Sequence, residues 1–124
     1  MTEGDALAIL FRQLETNREN IFTFGVYMLT SKQRSHLKSI AANLQPVGQY
    51  GKGGLSENMI RSFSEALEAR ELIKINVLTN AEDDAKEAGA YLAEKLFAEC
   101  VAVIGRKVIL YRRSSRKNFE HIEF

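Results

Sequence analysis

The chain has 124 residues, 45% of them hydrophobic, with 17 Lys or Arg against 16 Asp or Glu and a formal net charge of +1. That is long and apolar enough for one compact domain with its own core, and the charge is too balanced to identify a polyanion partner by itself. A lone cysteine, Cys100, excludes an internal disulfide framework and any multi-cysteine metal site, and fits a reducing compartment as a buried, inert thiol.

Residues 5–16 read as a short amphipathic helix, with Asp5 as its cap and Leu7, Leu10, Phe11 and Leu14 on one face. The apolar stretch within it, residues 6–14, is too short to span a bilayer. Glu3 and Asp5 stand where a signal peptide needs cations, so the expected location is the cytoplasm, with no membrane partner. Thr30 opens a stronger helix, and Gln33 three residues later completes a capping box. Leu37, Ile40, Ala41 and Leu44 form its buried stripe, and Pro46 stops it before a short strand at 47–50. Ser56 caps the next helix, which carries Met59, Ile60, Phe63 and Leu67 at helical spacing and ends near Arg70. Residues 72–78 alternate as a strand, and residues 80–98 form a third domain helix with Asp83, Asp84 and Glu87 favourable near its start. Two β-rich runs, 100–104 and 108–112, flank Gly105-Arg106-Lys107 as a hairpin, and 114–124 reads as a polar tail. The order from residue 30 is αβαβαββ. Strand–helix–strand units give parallel crossovers and the last pair must be antiparallel. The expected fold is an α/β two-layer domain with a four-stranded mixed sheet and three packed helices.

One loop carries chemistry. Gly51-Lys52-Gly53-Gly54 lies between a strand and a helix N-terminus. Glycines leave backbone N–H groups uncovered, the helix start adds orphan donors and a positive dipole end, and Lys52 adds a cation, so a phosphate fits there. A G-x-x-G loop is how KH-type domains clamp a nucleic-acid backbone; a glycine-rich turn with no ligand is the plain alternative. Charge is also segregated. No acidic residue lies between Glu19 and Glu57, a span holding Lys32, Arg34, Lys38 and Lys52. A second acid-free run, from Glu99 to Glu120, holds Arg106, Lys107, Arg112, Arg113, Arg116 and Lys117. Residues 57–99 between them hold ten acidic residues against five basic ones. Such blocks suggest a basic face toward a polyanion and an acidic face turned away.

Several segments together resemble a known family. They are Thr30-Ser31-Lys32-Gln33, Leu37-Lys38, Gln45-Pro46-Val47 and Gly51-Lys52-Gly53-Gly54-Leu55, followed by Ala66-Leu67-Glu68, Glu71-Leu72-Ile73-Lys74-Ile75, Val103-Ile104-Gly105 and Leu110-Tyr111-Arg112. In this order and spacing they resemble the YhbY family of bacterial RNA-binding proteins, which share the CRM domain (chloroplast RNA splicing and ribosome maturation). The resemblance covers residues 28–113. It implies a fold similar to the C-terminal domain of bacterial translation initiation factor three, and association with rRNA in precursors of the large ribosomal subunit. It also implies RNA contacts at Gly51, Lys52, Gly53 and Gly54, at Lys32, Arg34 and Lys38 on the first domain helix, and at Arg112 after the last strand. Family members commonly begin at a sequence like Met28-Leu29-Thr30, so residues 1–27 are either an extended start or a genuine extra helix.

Enzymatic readings lack support in the sequence. His36 and His121 are the only histidines, and neither has a Cys or carboxylate at metal-ligand spacing. The loop is not a Walker motif, because Gly53 and Gly54 follow Lys52 where Ser or Thr should. The expectation is a monomeric, non-enzymatic RNA-binding protein with no cofactor, no metal and no small-molecule substrate. A general RNA chaperone or intron-splicing accessory is the alternative, with a phosphate-dependent enzyme or a protein adaptor behind it.

Overall fold

The computed structural model describes residues 29–123. The expected helix at 5–16 therefore lies outside the described residues. In chain order the elements are α1 (Ser31–Ala41), β1 (Gly48–Tyr50), α2 (Glu57–Arg70), β2 (Leu72–Val77), α3 (Ala85–Lys95), β3 (Glu99–Ile104) and β4 (Lys107–Tyr111). The order and the number of elements are those the sequence predicts.

Each helix starts where its sequence places a cap. Thr30 accepts from the Gln33 N–H at 3.1 Å, and the Gln33 side chain accepts from the Thr30 N–H at 2.9 Å, a full capping box. Ser56 accepts from the Met59 N–H at 3.1 Å to open α2. The third helix begins later than its spacing suggests. Asp84 caps it by accepting from the Glu87 N–H at 2.8 Å, and residues 80–84 are loop.

The four strands form one mixed sheet in the order β1-β2-β4-β3. β1 and β2 are parallel, joined by the α2 crossover, while β4 is antiparallel to both its neighbours, β2 and β3. Successive side chains of a strand point to opposite faces, so the sheet is apolar on both. Ile73, Ile75 and Val77 of β2 and Val108 and Leu110 of β4 pack under Phe63 and Leu67 of α2 and Ala88 and Leu92 of α3. Leu72 and Ile109, from the alternate positions, pack with Val101 under Leu37 and Ala41 of α1. The layering is therefore α/β/α, not the two layers expected from the sequence. The reason is that β2 and β4 are apolar at consecutive positions, which leaves a second hydrophobic face that α1 must cover.

The chain after β4 is docked rather than a free polar tail. Glu71, the C-cap of α2 at φ 65°, is fully buried. Its carboxylate accepts from the Ser114 N–H at 2.7 Å and the Ile122 N–H at 2.8 Å, and lies 2.5 Å from His121 Nδ1. Glu68 accepts from the Ser115 N–H at 2.8 Å and from its hydroxyl. Burial pushes the Glu71 carboxyl up, but the bonds from His121, Ser114 and Ile122 outweigh it and hold the group below the usual carboxylate range. The segment is fixed by charge-assisted bonds that run from the buried Glu71 carboxylate out to the exposed Glu68–Ser115 contact.

Candidate nucleic-acid interface

The C-terminal ends of β1 and β2, the β3–β4 turn and the N-termini of α2 and α3 all lie at one end of the sheet, a consequence of the parallel crossover and the hairpin register. The glycine loop forms there. Gly54 N–H donates to Gly51 O at 2.9 Å, closing a tight turn that puts Gly54 at φ 68°, a conformation open to glycine. A side chain at Gly51 would meet Leu78 Cδ1 at 3.0 Å, so the loop rests closely on the residue that follows β2 and any larger residue there would have to displace the Leu78 side chain. Lys52 and Gly53 form the exposed tip. Immediately behind, α2 begins, and its first-turn N–H groups other than the one Ser56 holds have no intrahelical partner. Glu57 in that first turn stabilises the helix dipole in the free protein and would repel an incoming phosphate.

Two cations from the hairpin join this end. Arg106 donates from Nε to Val77 O at 2.8 Å and from Nη2 to Leu78 O at 2.6 Å, and its own carbonyl accepts from the Val77 N–H. Leu78 N–H in turn donates to Tyr50 O, the residue that leads into the glycine loop. Lys107 places Nζ 3.3 Å from Asn76 Oδ1. Both side chains remain exposed. Neither residue is among the contacts expected from the sequence, although the acid-free run around the Gly105 turn holds the signal.

The other expected contacts divide. Lys32 and Lys38 are exposed on α1, which covers the sheet face opposite α2 and α3. Arg34 points inward. Its Nη1 donates to Cys100 O and Val101 O, both at 2.7 Å, and Nη2 pairs with Glu99 Oε1 at 3.0 Å. A β-bulge between Cys100 and Ala102 interrupts the ladder and frees those carbonyls. Glu99 also accepts from the Leu29 N–H, so the pair pins the start of α1 to the start of β3. That is the end of the sheet away from the glycine loop.

Arg112 is likewise committed to the fold. It donates from Nη1 to Leu96 O at 2.8 Å and from Nη2 to the Ser64 carbonyl and hydroxyl at 3.0 Å. Glu68 lies 4.0 Å away. Burial pushes the guanidinium down, with Glu68 opposing it. Arg112 thus ties α2 and the end of α3 to β4, and its charge is directed into the molecule. Lys52, Arg106 and Lys107 are exposed at one end of the sheet, where Lys86 and the acidic Glu82, Asp84 and Glu87 around the start of α3 are exposed as well.

Tyr50 is core. Its hydroxyl donates to Asp83 Oδ2 at 2.8 Å, and burial with the neighbouring Asp83 pushes the phenol up to about 12. Tyr111 packs with the α1 cluster. Cys100 is half-buried and burial raises its thiol, so it is a poor nucleophile. Among the described residues no group of three His, Cys, Asp or Glu could hold a metal ion, and no helix is long and apolar enough to cross a membrane.

Comparison with known proteins adds a family. The model of the CRS1/YhbY (CRM) domain matches residues 29–112. A Bacillus subtilis protein named "Probable RNA-binding protein YqeI" is 46% identical over 87 residues, which cover 70% of this chain and 91% of that one. A Haemophilus influenzae protein named "RNA-binding protein" is 34% identical over 94 residues, covering 74% and 93%. The solution structure of SAV1595 from Staphylococcus aureus, described there as "a putative RNA binding protein", superposes with a TM-score of 0.62 at 47% identity. It covers 73% of this chain and 95% of that one.

Proposed function

The chain belongs to the CRS1/YhbY (CRM) domain family, and from that premise we propose that it is a non-enzymatic RNA-binding protein that docks structured rRNA during assembly of the large ribosomal subunit. The observation that carries the reading is the exposed Lys52 on a tight glycine turn at the N-terminus of α2, flanked by Arg106 and Lys107. Backbone N–H donors, a helix dipole and three cations at one end of the sheet suit phosphates, which supply position and most of the affinity. Lys32 and Lys38 form a second exposed basic patch, on α1, whose start is pinned at the far end of the sheet. Arg34 and Arg112 support the interface by holding α1, α2 and α3 on the sheet. The protein acts in the cytoplasm as a monomer.

Cross-linking the protein to RNA in cells and sequencing what is recovered tests the assignment. Reads concentrated on large-subunit rRNA and its unprocessed flanks are expected. Reads spread over many messages would favour a general chaperone, and recovery of introns would favour a splicing accessory.

A further inference from the structure

α1 covers only part of its face of the sheet. It packs over Leu72, Ile109, Val101, Ala102 and Tyr111, toward the end where Arg34 is anchored. At the other end, one cross-strand row is left uncovered among the described residues. Gln49 pairs in register with Asn76, Asn76 with Lys107, and Lys107 with Ile104, so one residue from each of the four strands lines up on that face. Gln49 and Lys107 are exposed, Asn76 is half-buried and Ile104 is 52% exposed. Adjacent strands are about 4.8 Å apart, which sets the two carboxamides side by side. Lys107 Nζ donates to Asn76 Oδ1, which leaves the Asn76 N–H donors available to another acceptor. A shallow open depression lined by Pro46, Val47, Gly48, Gln49 and Asn76 borders the row at the β1 edge.

We propose that this row reads one or two unpaired nucleotides of the bound RNA, an inference that rests on the RNA reading of the Gly51–Gly54 loop. The row starts one residue before Tyr50 and ends at the hairpin, so a strand whose phosphates meet Lys52 and Arg106 passes over it. Phosphates need only cations, whereas neutral carboxamides offer paired donors and acceptors matched to base edges. The Watson–Crick and Hoogsteen edges are available only in unpaired RNA, because pairing occupies the first and the A-form major groove is too deep and narrow for side chains to reach the second. Lys107 serves both ends of the interaction, orienting the Asn76 amide while its charge faces the backbone. Ile104 gives an apolar surface against which a base can lie.

The test uses the full chain and two fluorescently labelled RNA hairpins of equal length, one with an unpaired internal loop and one fully paired. Fluorescence anisotropy should show wild type preferring the looped hairpin by about tenfold, the scale of one bidentate base contact. The double variant Gln49→Ala, Asn76→Ala changes no charge, so it should lose that preference and bind the paired hairpin as wild type does. Gln49→Ala alone, at an exposed position, should keep the wild-type melting temperature and lose part of the preference, and it decides the matter if the double variant melts early. A variant that keeps the full preference overturns the proposal, as does wild-type binding of both hairpins with equal affinity, which leaves the RNA reading intact. Binding to neither hairpin overturns both. A dimer in sedimentation that Gln49→Ala dissociates would assign the row to a second copy of the chain instead, and so overturn it.

Discussion

A side chain at Gly53 would meet no atom within 4 Å, and the left-handed φ of the loop falls on Gly54 instead. The double substitution Lys52→Asp, Gly53→Asp is therefore compatible with the backbone, and the new carboxylates face the positive end of the α2 dipole rather than opposing it. The expected result is wild-type melting with at least a tenfold loss of RNA affinity, about 1.4 kcal/mol, measured by circular dichroism and filter binding. A folded variant that binds normally would reduce the loop to a turn. Arg34 and Lys38, both read as contacts from the sequence, should behave in opposite ways. Arg34→Ala removes three hydrogen bonds from a charged donor and leaves Glu99 without its cation. It should cost about 2 kcal/mol of stability. Lys38→Ala should leave the denaturation midpoint unchanged while weakening RNA binding. The distinction was partly legible, since Arg34 is three residues before Leu37 and seven before Ala41, on the stripe α1 buries. The bulge that supplies its acceptors left no mark in the sequence. Lys52 was legible because glycines and a helix cap are local signals.

Caps, turns and alternation located nearly every element, because each depends on residues a few positions apart. The sequence pattern starts α3 at residue 80, whereas in the structure Asp84 caps it and Asp83 accepts from Tyr50, a tertiary contact that keeps residues 80–84 as loop. The segment after β4 reads as a free polar tail for a related reason. Its partners Glu68 and Glu71 are more than forty residues away, and a polar stretch looks free until its acceptors are known. Its docking makes stability depend on pH. Burial raises the Glu68 carboxyl, but bonds from Ser115 and Ser114 outweigh it, so that both carboxyls sit below their ordinary value of 4.5. The sign follows: the unfolded chain takes up protons first, so stability is full above about pH 4.5 and falls as pH drops below it. Melting temperature should be flat in the neutral range and decline in acid. Glu71→Gln should weaken the acid dependence and lower the neutral plateau, because a neutral amide cannot replace a carboxylate among three donors.

For the molecule as a whole, backbone docking makes binding depend on salt. If about five phosphates are neutralised, log K should fall against log salt with a slope of roughly −3.5 to −4.5. Titrations at several salt concentrations measure it, and a flat response would remove the electrostatic reading. The αβαβαββ order and the mixed sheet followed from the sequence, but the side of the sheet taken by α1 did not. A helix between two parallel strands is held to one face by its connections, whereas α1 precedes the first strand and is constrained only by which apolar surface remains open. The strand order β1-β2-β4-β3 has a consequence for how the chain is made. Synthesis runs from the N-terminus, and the final strand fills a central slot, bonded to β2 on one side and β3 on the other. Until residues 107–111 have been translated, the earlier strands have no common partner and both apolar faces of the sheet are incomplete. Folding must therefore be a late event in translation, governed by contacts distant in sequence. A nascent chain stalled at Ile104 should remain protease-sensitive, and protection should appear in one step once β4 has emerged.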